Sequence, residues 1–213
     1  MKKNKLVILT SQNSKYQGQI DKIINQSPFS IERKYIEDNY DYQNDIVYSF
    51  VKLNNVNELV INYKFYLNYK DKKEVQNILS NKINTPSILS KVNTFAYLKE
   101  NKHEGVVKII NSIDDIDLTN YYLEEVVKGE ESKYYYVFDL LFNSDSKIID
   151  KDLNNIANVI ATSLNLDVFS FDVIKKDNIN YVIDVNISPG FYKSDIARSY
   201  FISYIERNYL WQV

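Results

Sequence analysis

Two runs near the carboxy-terminal end limit the fold more than any other feature. Val168 to Lys175 and Asn180 to Ile187 are strand-like, and the polar Lys176-Asp177-Asn178 turn between them predicts a β-hairpin. Asp184 and Asn186 are two residues apart, so on a strand they share a face, and Asp172 in the first strand lies across from them if the turn is tight. Phe171, Val173, Ile183, Val185 and Ile187 then fall on the opposite face, as core. Two carboxylates and an amide oxygen make a hard, oxygen-only site of the kind Mg²⁺ prefers. The plainer alternative is an amphipathic hairpin whose aspartates face solvent and whose Asn186-Ile187-Ser188-Pro189-Gly190 ending is a turn.

The chain has 213 residues, 45% of them hydrophobic, which suits two or three small lobes. Periodicity and turn residues predict strands at Lys5 to Thr10, Phe29 to Ile36, Asp45 to Val51 and Glu58 to Leu67, with a helix over Gln19 to Asn25. Helices follow over Asp71 to Asn81 and Asn93 to Asn101, separated by an extended stretch before Pro86. Gly105 to Ile110 reads as a strand, and Tyr121 to Val127 and Lys133 to Phe142 as β-rich runs. Asp150 to Leu164 and Ser194 to Tyr209 read as helices. The expected class is α/β or α+β, with an amino-terminal lobe at 1–70, a reduced central lid at 71–127 and a carboxy-terminal lobe at 128–213 that carries an antiparallel sheet.

Composition excludes several functions. With 26 basic and 28 acidic residues the net charge is -2, too little positive field to grip nucleic acid without regard to sequence. There is no cysteine, hence no disulfide, thiolate nucleophile or Cys-ligated metal. His103 is the sole histidine and belongs to no triad signature. Tyr121-Tyr122 and Tyr134-Tyr135-Tyr136 suit half-buried sheet surfaces better than base stacking. The apolar run Leu6 to Leu9 is too short for an export signal, and no window is long enough to span a bilayer. A cytoplasmic protein with no membrane or nucleic-acid partner is expected, with a homodimer left open as its assembly.

Phe171-Asp172-Val173, followed by Tyr181-Val182-Ile183-Asp184-Val185-Asn186-Ile187-Ser188-Pro189-Gly190-Phe191, resembles the last motif block of the ATP-grasp superfamily. The flavour is that of ribosomal-protein glutamate ligases and other carboxylate–amine ligases, and inositol phosphate kinases share the ending. The resemblance implies ATP and Mg²⁺ as cofactors, with Asp172, Asp184 and Asn186 as metal ligands. Upstream, Asp71-Lys72-Lys73 and Ile83-Asn84-Thr85-Pro86 look like the family's Asp-Lys helix and Ile-x-Thr-Pro strand. Val106-Val107-Lys108 looks like the strand whose lysine reaches the phosphates, and Tyr122 to Val127 like the hinge strand beside adenine. This implies Lys108, Glu124 and Glu125 as nucleotide-binding residues, the two glutamates jointly, with which of them faces the ligand left open.

Gly129-Glu130-Glu131-Ser132-Lys133 is similar to the family's Gly-x-Asp-x-Arg, and Lys133 becomes the candidate catalytic contact to substrate or phosphate. Lysine gives up arginine's bidentate fork. The stretch between Lys108 and Tyr121 holds no glycine, so a shortened lid without a glycine-rich flap is expected. The implied activity is ATP-dependent ligation of an amino acid or peptide through an acyl phosphate, with a small-molecule or peptide substrate. The alternatives are a polyol or inositol phosphate kinase of the same fold, and a non-catalytic scaffold descended from such an enzyme.

Overall fold

The computed structural model describes residues 5–54, 56–93, 95–102, 107–112 and 118–210. Its first sheet is parallel: β1 (Leu6–Thr10) runs between β2 (Ile31–Tyr35) and β3 (Ile46–Ser49). Every residue of β1 is buried, as expected of a central parallel strand covered on both faces. Leu6 and Ile8 pack with Ile20 and Ile23 of α1 (Gln17–Gln26), while Leu9 and Val47 belong to the other main core cluster.

The expected strand over Glu58 to Leu67 does not form. Val60 makes a single bridge to Val47, Asn62 turns the chain in a left-handed conformation (φ 64°), and Tyr63–Leu67 is a short helix, α2. The buried Asn62 side chain explains the break, because it bonds four backbone groups of the carboxy-terminal lobe. Its amide nitrogen donates to the carbonyls of Val168 (2.6 Å) and Ile187 (2.8 Å), and its oxygen accepts from the N–H groups of Asp167 (2.7 Å) and Val168 (3.0 Å). Next, α3 (Lys72–Ser80) opens with a capping box in which Asp71 and Glu74 each satisfy the other's backbone N–H.

The middle sheet is antiparallel, in the order β4, β7, β5, β6: β4 (Ile88–Leu89), β5 (Ala96–Glu100), β6 (Val107–Ile110) and β7 (Tyr121–Glu125). Here the second expected helix, Asn93 to Asn101, is corrected to strand β5. Ala, Leu, Lys and Glu are good helix formers, but pairing with β6 on one side and β7 on the other overrides that weak preference. Of the strand expected from Gly105, the structure contains Val107–Ile110, and Gly105 and Val106 lie outside the described residues.

The carboxy-terminal sheet is also antiparallel, ordered β11, β10, β8, β9: β8 (Glu130–Val137), β9 (Leu140–Phe142), β10 (Val168–Lys176) and β11 (Ile179–Asn186). Two tight turns fold it, Phe138-Asp139 (φ 43° and 70°) and Asp177-Asn178 (φ 50° and 64°). Both use the pair of left-handed residues that a two-residue hairpin requires, so the run read as Lys133 to Phe142 is two strands. Helix α4 (Lys151–Leu164) is capped by Asp150 and ends at left-handed Asn165, and α5 (Asp195–Ile205) passes into a π-helical turn, Glu206–Leu210.

The amino- and carboxy-terminal sheets share their cores. Val47, Phe65 and Val75 cluster with Phe169, Phe171 and Val185, and Tyr48 clusters with Tyr135, Phe191 and Phe201. The middle sheet rests on its own small cluster of Ala96, Leu98 and Leu123. Among the described residues no helix is long and apolar enough to cross a membrane.

Candidate functional site

The hairpin brings the two aspartates together as direct cross-strand partners, Asp172 on β10 opposite Asp184 on β11. On its other side Asp172 faces Lys133 of β8, so a lysine and two carboxylates form a row across three strands. The Lys133 ammonium donates to both Asp172 oxygens, at 2.7 and 2.8 Å. Lys72, the first residue of α3, pairs with Asp184.

Beyond Asp172 the register slips: Asp172 faces Asp184 but Val173 faces Val182, and Ile183 is the extra residue. A bulge of this kind re-aims side chains. Val182 and Val185 are both buried, while Ile183, expected in the core by strict alternation, lines the cavity beside the site. The bulged residue also offers its carbonyl to the middle sheet. Lys99 of β5 donates to Ile183 O at 2.8 Å and to Glu124 Oε1 of β7 at 2.5 Å.

Between the middle and carboxy-terminal sheets lies a cavity of about 350 Å³, lined by Lys72, Lys99, Glu124, Glu125, Asp184 and Asn186 among others. Asp172 and Lys133 form the next row and adjoin Asp184 without lining the cavity. Glu124 is 1% exposed and its second oxygen, Oε2, has no hydrogen-bond partner, whereas Glu125 is exposed at the rim. The two glutamates that the sequence leaves undecided therefore sit differently, with Glu124 held against Lys99.

Electrostatics separates the carboxylates. Burial pushes Asp172 up, partly offset by Lys133, and the nearby Asp184 and Glu131 push it further. Burial also acts to raise Asp184, but Lys72, helped by Lys99 and Lys133, holds it below the ordinary carboxylate range. Glu124 is raised by burial more than Lys99 lowers it, with Asp184 adding to the rise.

Lys108, expected at the phosphates, is exposed on the outermost strand β6 opposite Leu98 and does not line the cavity. The buried lysine of this sheet is Lys99, 7% exposed. The helix propensity of Ala96 to Glu100 hides it in the sequence. The available signal was alternation: Ala96 and Leu98 enter the small core, and Tyr97 and Lys99 line the cavity. In the sequence Lys72 stands out only as part of the Asp-Lys helix, because its partner Asp184 is far away in the chain.

Asn186 Oδ1 accepts from Ser188 N at 3.1 Å, leaving a second lone pair. The Pro189-Gly190 turn is fixed against the amino-terminal lobe. The Tyr48 hydroxyl donates to Pro189 O at 2.7 Å, and a Cβ on Gly190 would lie 2.7 Å from Gln19 Cβ. Phe191 follows in a left-handed conformation (φ 54°) that its fully buried ring, packed against Phe201, keeps in place.

The donor set fits a magnesium nucleotide in part. Ammonium groups, a buried carboxylate with an unused oxygen, and the Asp172, Asp184 and Asn186 oxygens suit phosphates, ribose hydroxyls and a hard cation respectively. Among the described residues no three His, Cys, Asp or Glu side chains gather as a metal cluster, so a cation here would need phosphate oxygens to complete its shell.

With its parallel and antiparallel sheets flanking a cleft of lysines and carboxylates, the chain has the fold seen in solved ATP-grasp ligases. No family model matches it. The fold is similar to the ATP-grasp ligase PsnB complexed with a minimal precursor (TM-score 0.65, 10% identity, 96% of this chain and 99% of that one). It is also similar to D-alanine–D-alanine ligase from Bacillus anthracis (TM-score 0.59, 15% identity, 92% and 90%). In sequence, D-alanine–D-alanine ligase of Petrotoga mobilis is 33% identical over 132 residues, 60% of this chain. The chain spans 39% of that relative's length.

Proposed function

We propose that the chain is an ATP-dependent carboxylate–amine ligase that joins an amino acid or peptide carboxylate to an amine through an acyl phosphate. The observation that carries this reading is the cavity in which Lys72 and Lys99 meet Asp184, Asn186 and Glu124 between two sheets. The likeness of the fold to that of known ligases supports it. ATP with Mg²⁺ supplies the phosphoryl group. Asp172, Asp184 and Asn186 would hold the cation, and Glu124, with Glu125 at the rim, would hold the nucleoside side.

In this proposal Lys99 takes the phosphate-binding role first given to Lys108, because a buried ammonium in a dry site stabilises developing phosphate charge far better than a solvated one. Lys72 and Lys133 neutralise the two aspartates, and each can turn to an anionic oxygen once a cation replaces it at the carboxylate. Lys133 remains the proposed contact to substrate or phosphate. The substrate carboxylate oxygen bonds to the terminal phosphorus as ADP departs. The amine then forms the C–N bond as phosphate leaves, and its proton passes to solvent.

The lysine partners of both aspartates favour one competing reading, a non-catalytic binding protein in which those ion pairs are permanent. Isothermal titration with ATP, with and without Mg²⁺, separates the two. The ligase reading expects magnesium-dependent binding that Asp184→Ala and Asn186→Ala weaken at least about tenfold, and ADP release that requires an added amino acid or peptide. No nucleotide binding by the wild type would sink it.

A further inference from the structure

A second cavity, of about 290 Å³, opens between the amino-terminal lobe and the end of β11, and Asn186 lines both it and the lysine-rich cavity. Its walls are unlike those of its neighbour. Tyr16, Phe50, Tyr66 and Tyr69 supply four aromatic faces, and no Asp or Glu is among its described lining residues. Tyr16 and Phe50 pack with ring centroids 5.5 Å apart, and the Tyr66 hydroxyl donates to Ser49 O at 2.9 Å and lies 3.2 Å from Ser188 Oγ, so the walls are anchored. The charges present are cationic: Lys102, paired with Glu100, and Lys52, whose ammonium lies 4.4 Å from the Tyr69 ring centroid.

Resting on the ligase reading above, we infer that this aromatic cavity seats the carboxylate substrate, and that it selects a carboxylate on an aromatic or bulky apolar residue whose own amine is acylated, such as the last residue of a peptide. Three features carry this. Shared Asn186 puts a carboxylate at the inner end of this cavity beside the site where phosphate chemistry is proposed. Aromatic walls gain from covering a large apolar side chain and gain little from a methyl group. Cationic groups attract a carboxylate, while a free ammonium finds no acidic partner among the described lining residues.

The test traps the acyl phosphate with hydroxylamine, using N-acetylphenylalanine, N-acetylalanine and free phenylalanine as probes with Mg-ATP. The expected result is at least about tenfold more hydroxamate from N-acetylphenylalanine than from either of the others. Lys52→Glu, a change at an exposed position, should lower that yield about tenfold or more by reversing the local charge. Equal or reversed preference, with hydroxamate formed, overturns the inference and leaves the ligase reading standing. If no probe gives hydroxamate, calorimetric binding of N-acetylphenylalanine without nucleotide decides. Binding that Lys52→Glu weakens supports the pocket assignment even as the ligase reading fails, and no binding overturns it.

Discussion

The carboxy-terminal sheet lies on two large buried clusters that it shares with the amino-terminal lobe, whereas the middle sheet rests on Ala96, Leu98 and Leu123. The two sheets face one cavity, but they hold their functional groups by different means. In the first, Asp172 and Asp184 stand on paired strands whose opposite face is packed with Phe171, Val173 and Val185. In the second, the Lys99 to Glu124 pair is itself a large part of what is buried, and its further bond to Ile183 O ties the thin sheet to the thick one. Hydrophobic area fixes one wall, and a polar contact fixes the other. The wall with little apolar burial should open more readily, as local stability follows contact density.

Lys99→Ala should break this arrangement most. It leaves Glu124 buried without a partner, a loss on the order of 3–5 kcal/mol for a buried pair. The expected signature is hydrogen exchange that accelerates across β5 and β7 but not β8 and β10. Uniform acceleration would show that the middle sheet has no separate stability. Asn62→Ala tests the other wall: removing four buried hydrogen bonds should cost about 3 kcal/mol in urea unfolding, with the whole carboxy-terminal sheet affected.

A smaller effect is expected from pH. Lys72 holds the folded-state pKa of Asp184 below its unfolded value, so the ionised carboxylate stabilises the fold above the unfolded pKa. That contribution is lost as pH falls through the lowered folded value. Glu124, raised by burial, acts in the opposite sense and costs stability as pH rises from its unfolded value through its raised one. The stability gap between wild type and Asp184→Asn should therefore be widest near neutrality and close below about pH 4. A gap that widens in acid would contradict the assignment of Lys72 as its partner. Lys108→Ala should change stability by less than about 0.5 kcal/mol and leave nucleotide affinity unchanged, because the side chain is exposed on β6. A large loss of affinity there would return the phosphate role to Lys108.

Much of the carboxy-terminal lobe was legible in the sequence because its signals are local. Asp177-Asn178 accepts the left-handed turn and the strands on either side alternate, but that turn alone would set Asp172 opposite Ile183, and the slip in register at Ile183 is what brings it opposite Asp184. The capping box at Asp71 and Glu74 and the apolar stripe of α4 are equally local. The middle lobe was less legible. Ala96 to Glu100 suits a helix by propensity, and only its partners on β6 and β7 make it a strand and turn Lys99 inward.

By itself, then, the sequence determined the hairpin, the shared face of Asp184 and Asn186, the strands within Lys5 to Thr10, Phe29 to Ile36 and Asp45 to Val51, and the absence of cysteine chemistry. Those features depend on neighbours a few residues apart, whose spacing the backbone converts directly into shared faces. Tertiary structure decided which lysine is buried, which glutamate faces it, and that Ile183 leaves the core through a slip in register. Each of those rests on contacts between residues far apart in the chain: Lys99 with Glu124 and Ile183, Lys72 with Asp184, and Asn62 with both ends of the hairpin. No local period encodes such contacts, because the free energy that selects them comes from burying charges and backbone groups that sequence distance keeps apart.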